Sequence, residues 1–131
     1  MKILFHPILV HFPIAFYFLE GLLLIFWAVK KDDAYRRFAL FSFKTAYGFM
    51  LVTIATGLLD AGGFGRITGL VRTHFLSALV GVFGIATARA FFWRFGDENA
   101  KSYRTIQIAG ALLGNFALAL TGYFGGRLVY G

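Results

Sequence analysis

Four long apolar runs constrain this chain more than any other feature. They cover about Pro7 to Val29, Phe38 to Leu59, Leu70 to Phe95 and Thr105 to Val129. Each supplies roughly the 20 residues a helix needs to cross a bilayer core of about 30 Å. With 59% hydrophobic residues and a mean hydropathy of +0.72, the 131-residue chain is too apolar for an ordinary soluble domain. The expected fold is therefore all-α: one integral membrane four-helix bundle over residues 1–131, with nothing left over for a soluble domain. The first run is too long, and lacks the small-residue cleavage site, for a removed signal peptide.

The formal net charge is +7, which in a soluble chain would raise the question of nucleic acid. Its placement argues for membrane lipid instead. The connecting segments around residues 30–37 and 93–104 carry Lys30, Lys31, Arg36, Arg37, Arg94, Lys101 and Arg104. The opposite side carries Lys2, Arg66, Arg72 and Arg127. Seven against four puts the two loops in the cytoplasm and both termini outside, because basic residues accumulate in short cytoplasmic loops. No nucleic-acid partner is expected. The absence of cysteine excludes disulfides, thiolate chemistry, iron–sulfur ligation and a covalently attached c-type haem.

The chain also carries signs of an internal duplication. Val10-His11-Phe12 returns as Thr73-His74-Phe75, with Ala15, Gly21 and Lys31 matched at the same spacing by Ala78, Gly84 and Arg94. Beyond a second loop two residues longer, Asp32-Asp33 meets Asp97-Glu98 and Thr56-Gly57 meets Thr121-Gly122. These landmarks predict two tandem two-helix repeats, about 1–63 and 64–131. Repeats of like orientation are related by a pseudo-two-fold along the membrane normal. On that alignment His11 and His74 face one another at the outer side.

Two facing imidazoles suggest a cofactor. A haem iron has two axial positions, and a histidine from each of two helices completes a b-type site within a bundle. His11 and His74 are the expected axial ligands of one haem b. Positions three, four and seven further along share a histidine's helical face. After His74 these are Ser77, Ala78 and Gly81, and after His11 the small one is Ala15, so these four could pack against the macrocycle. Arg66, Arg72 and Arg127 stand at the same membrane face and could pair propionates. His6 and Asp60 are candidates for proton handling or metal binding there, against a plainer role in capping. His6 should point about 140° away from His11 around the helix. Pro13 should bend that helix below His11. Glu20 is an intramembrane charge near mid-depth, where an ionisable residue usually has a partner or a task. Lys44 and Arg89 are the candidate partners.

The stretch HPILVHFPIAF (6–16) resembles the opening signature HP-x-x-VHFPIA of a family of predicted bacterial four-helix membrane proteins of unknown function. TGLLD (56–60), the histidine at 74 and the closing GGRLVYG extend the resemblance over most of the chain. It implies the bacterial inner membrane and marks His6, Pro7, His11, Pro13, Asp60, His74, Gly125 and Gly126 as characteristic positions. Members are also joined to Rieske-type iron–sulfur domains, which implies electron transfer with a separate redox partner.

Three readings follow. The first is a small b-type cytochrome-like subunit relaying electrons from quinol, with quinone as a possible second cofactor, or from a membrane partner to an external redox protein. The second is a cofactor-free accessory subunit of a larger respiratory or photosynthetic complex, suggested by the 17 phenylalanines. The third is a copper- or zinc-binding membrane protein or transporter using His6, His11 and His74. An electron-transfer subunit is expected rather than a free-standing enzyme, since no nucleophile motif or carboxylate pair is in place.

Overall fold

The computed structural model describes residues 5–131. Within them the protein is all-helical, with four helices long and apolar enough to cross a membrane: α1 (His6–Lys30), α2 (Asp33–Ala61), α3 (Gly69–Phe95) and α4 (Lys101–Tyr130). At a rise of roughly 1.5 Å per residue each exceeds the thickness of a bilayer core.

The helices outlast their apolar runs because polar residues extend them beyond the hydrophobic zone. Asp32 caps α2, its carboxylate accepting from Ala34 N–H at 2.9 Å, so α2 begins five residues before the first phenylalanine of its apolar run. The α1–α2 turn needs only two residues, and Lys31 takes a left-handed conformation with φ 55° to make it. At the other end Gly62 (φ 85°) closes α2. Its N–H donates to Leu59 O at 3.0 Å, and Gly63 N–H donates to Leu58 O at 3.0 Å. That is the paired bond pattern of a Schellman cap, which glycine permits at positive φ.

Two helices are locally irregular. In α1 the regular bonding is interrupted at Val10. Pro13 has no N–H to give to the carbonyl one turn back, which accounts for a weakened turn there. In α3, residues Ser77–Gly84 form a π-helical stretch beginning three residues after His74.

The core has two levels. Tyr17, Phe43, Ala46, Met50, Val82 and Ala86 pack at mid-bundle, and Leu24, Trp27, Ala39, Tyr103 and Ala111 pack nearer the short loops. Outside, Phe38, Phe41, Phe91, Leu112 and Phe116 are exposed around the bundle. Apolar side chains turned outward on four membrane-length helices make a surface suited to lipid. Many of the phenylalanines need no protein partner for that reason.

The buried faces of α2 and α4 recur at one spacing. Ala39, Phe43, Ala46 and Thr53 are buried on α2, and Gln107, Ala111, Gly114 and Thr121 on α4, each 68 positions on. The first residues, Asp33 and Lys101, are separated by the same interval. The landmark spacing read from the sequence for these helices (Thr56-Gly57 on Thr121-Gly122) is three residues shorter.

Candidate functional site

The histidine that meets His74 is His6. Their ring centres lie 6.0 Å apart with the planes at 82°. His6 opens α1 and His74 lies in the second turn of α3, so both rings sit at the end of the bundle away from the short loops. Both are half-buried.

The two rings are held in the same way. His6 Nδ1–H donates to Thr53 O at 2.8 Å, and His74 Nδ1–H donates to Thr121 O at 2.9 Å, in each case 47 residues further along the chain. A carbonyl can only accept, so both imidazoles carry a proton on Nδ1, which in the neutral ring leaves the lone pair on Nε2. A glycine stands one turn beyond each carbonyl. A Cβ on Gly57 would lie 2.9 Å from His6 Nδ1, and one on Gly125 would lie 3.0 Å from His74 Cε1. Helical side chains lean back over the preceding turn. Any larger residue at 57 or 125 would therefore cover the carbonyl that the imidazole uses. The unit is a histidine served by Thr-x-x-x-Gly, written TIATG at 53–57 and TGYFG at 121–125. That recurrence is a sequence signal for the pair, and it lies 68 residues apart rather than at the spacing of the His-Phe dipeptides.

His11, the expected partner of His74, is exposed on the outer surface of α1. The expected angular relation between the two histidines of this helix explains why. His6 and His11 point about 140° apart, so with His6 turned inward His11 must face out. The proposed facing of His11 and His74 is thus replaced by that of His6 and His74.

The surrounding residues divide. Asp60 reaches the pair, its Oδ2 accepting the His6 backbone N–H at 3.0 Å, so it caps the start of α1. Ser77 is occupied: its hydroxyl donates to His74 O at 2.8 Å and accepts from Thr121 Oγ1 at 3.1 Å. Gly81 packs α3 on α4, where a Cβ would lie 3.3 Å from that of Ala117. Ala78 is half-buried and Ala15 exposed. Arg66, Arg72 and Arg127 are exposed at this end of the bundle, Arg66 lying over Gly62, where a Cβ would be 3.0 Å from its Cδ. Lys2 lies outside the described residues. Among the described residues no three His, Asp or Glu side chains gather as a metal-binding group, so the three histidines do not form one site.

A second polar centre lies deeper. Glu20 is fully buried and Arg89 is 3% exposed. Arg89 Nη1 donates to Glu20 Oε2 at 3.1 Å and Nη2 donates to Glu20 Oε1, a bidentate pair. Nη1 also donates to Tyr17 Oη at 3.2 Å, and Nη2 to Gln107 Oε1 at 3.3 Å. The guanidinium carbon lies 4.9 Å from the centre of the Phe43 ring. Of the two candidate partners for Glu20, Arg89 is the one that pairs; Lys44 is exposed. Helix α4 makes room with glycines. A Cβ on Gly110 would meet Arg89 Cδ at 2.8 Å, and one on Gly114 would overlap the Tyr17 hydroxyl. Tyr17 and Gln107 carry no family or repeat signal, and only their neighbourhood to Glu20 in space brings them into the site.

No curated protein and no solved structure matches the chain. A family model described as "Predicted membrane protein (DUF2231)" matches residues 2–131, and the protein belongs to that family.

Proposed function

We propose that the protein is a small b-type cytochrome-like electron-transfer subunit of the bacterial inner membrane, with both termini outside. In this reading its haem is held by His6 and His74 near the outer face. The observation that carries the reading is the imidazole pair. The two ring centres stand 6.0 Å apart, so an Nε2 from each could bond one metal ion held between them. Histidine ligands of metals usually give the other ring N–H to a carbonyl or carboxylate, which fixes tautomer and orientation. Both rings do so here. Arg66, Arg72 and Arg127 are exposed at the same end of the bundle and could pair a haem's propionates. A haem there supplies one-electron chemistry near one face only. In that role the protein would accept electrons from quinol or a membrane partner and pass them to an external redox protein.

A second reading keeps the same two nitrogens around a bare copper or zinc ion. It is favoured by the closed α3–α4 face, where Gly81 and Ser77 pack and bond against α4 instead of lining a slot. Imidazole suits iron, copper and zinc alike.

The test is a reduced-minus-oxidised absorption spectrum of the purified, detergent-solubilised protein, with elemental analysis. Sharp bands of a low-spin haem support the first reading. Bound copper or zinc without such bands moves the assignment to the second. Neither, in protein given both, removes the redox function.

A further inference from the structure

At the end of the bundle that carries the short loops, the carboxylates are already engaged. Asp32 and Asp97 each accept a backbone N–H, from Ala34 at 2.9 Å and from Asn99 at 3.0 Å. Asp33 and Glu98 both pair with Arg36, at 3.5 Å and 2.7 Å. Among the described residues, neither Lys101 nor Arg104 pairs with a carboxylate.

These two cations line one cavity of about 300 Å³, which Trp27, Glu98 and Thr105 also border. The Arg104 guanidinium lies over the Trp27 ring, 4.7 Å from its centre. Trp27 is 4% exposed, so the ring is a fixed wall. Stacking engages the flat face of a guanidinium and leaves its N–H edge free, the fork that matches phosphate oxygens. Glu98 is the one carboxylate on the rim, and Arg36 neutralises it.

The backbone adds to the positive potential. Whereas α2 starts on its capping Asp32, α4 starts at Ala100 with no side-chain cap and no acidic residue in its first turn. Ala100 borders the cavity, so the positive end of the α4 dipole lies beside Lys101 and Arg104. The 30 residues of α4 span about 45 Å against a bilayer core of about 30 Å. Its first turn is therefore at headgroup depth, where the oxyanion at hand is the phosphate of a lipid. Basic pockets between transmembrane helices take such headgroups.

We propose that the cavity between the start of α4 and Trp27 of α1 binds the phosphate group of an anionic phospholipid, paired by Arg104 and Lys101. It lies at the opposite end of the bundle from His6 and His74 and does not depend on what they bind.

The test follows the unfolding midpoint of the full chain in detergent as phosphatidylglycerol is titrated in. A ligand of the folded state raises the midpoint by mass action. The unsubstituted protein is expected to show a saturable rise with phosphatidylglycerol, and a smaller one with equal phosphatidylcholine. Lys101→Gln with Arg104→Gln should need at least about ten-fold more lipid for the same rise, as loss of charge-assisted bonds implies. Lys30→Gln with Arg37→Gln removes the same charge at exposed positions outside the cavity and should keep the full response. If the Lys101 and Arg104 double variant does not fold, Lys101→Gln alone, at an exposed position, is expected to weaken the response. No rise in the unsubstituted protein overturns the proposal, as does an undiminished rise in the folded cavity variant. An equal loss in the Lys30 and Arg37 control overturns it in favour of unspecific charge attraction. An equal rise with phosphatidylcholine overturns the anionic headgroup, and an equal saturable rise with inorganic phosphate overturns the lipid in favour of a soluble phosphate.

Discussion

The imidazoles of His6 and His74 meet at nearly perpendicular planes with centres 6.0 Å apart, and each is anchored to the carbonyl of a threonine 47 residues downstream. The arrangement joins the first turn of α1, the second turn of α3 and turns of α2 and α4 at one end of the bundle. The geometry of the pair is set by two helix-to-helix hydrogen bonds and two glycines.

The glycines should be indispensable to that geometry. Gly57→Ala places a methyl carbon 2.9 Å from the His6 ring, and Gly125→Ala places one 3.0 Å from the His74 ring. The rings must move off their carbonyls, at the roughly 1–3 kcal/mol typical of overpacking. Each variant is expected to insert, melt earlier and lose bound metal or haem. Gly122→Ala, whose Cβ would meet nothing within 4 Å, is the control and should behave as wild type.

Gly114 should matter for a different reason. Its Cβ would overlap the Tyr17 hydroxyl, which is fully buried between α1 and α4. Gly114→Ala should separate these helices and lower the unfolding midpoint in detergent. Combining it with Tyr17→Phe, which removes the overlapping oxygen, should recover much of the loss.

The ion pair gives a directional test. Removing one partner of a buried pair commonly costs about 3–5 kcal/mol, because the other charge is left uncompensated. Glu20→Leu alone and Arg89→Met alone should both destabilise strongly. The double variant should be more stable than either single one. Denaturation of all four proteins, run as a double-mutant cycle, measures the coupling. Equal additive losses would mean that the pair is not coupled.

Topology can be checked with the chain's lack of cysteine as the background. A single cysteine at Asp33 and one at Gly131 should react with an impermeant thiol reagent from opposite sides of the membrane. Labelling of both from one side contradicts four crossings.

The membrane fold was readable from hydropathy because lipid imposes it segment by segment. The apolar run beginning at Phe38 locates α2, while its true start at Asp33 depends on a capping aspartate that hydropathy does not register. The pairing of Glu20 with Arg89 was narrowed to two candidates by depth along the chain. Choosing Arg89 over Lys44 needs helix rotation, which a list of apolar runs does not contain. Helix rotation also decides which histidine of α1 turns inward. The His-Phe dipeptides at 11–12 and 74–75 look equivalent, yet the helices meet through His6, because burial of Pro13, Tyr17 and Glu20 sets which face of α1 turns inward. The Thr-x-x-x-Gly recurrence was present in the sequence, but it gains meaning only once an imidazole is seen to occupy the space above each glycine.

The proposal that the imidazole pair holds a redox centre is tested most directly by comparing three single variants, His6→Ala, His74→Ala and His11→Ala, in haem-supplied membranes. The account predicts low-spin haem bands in wild type and in His11→Ala, and their loss in both His6→Ala and His74→Ala with all four proteins inserted. A fully loaded low-spin haem in His6→Ala, or its loss in His11→Ala alone, would contradict it.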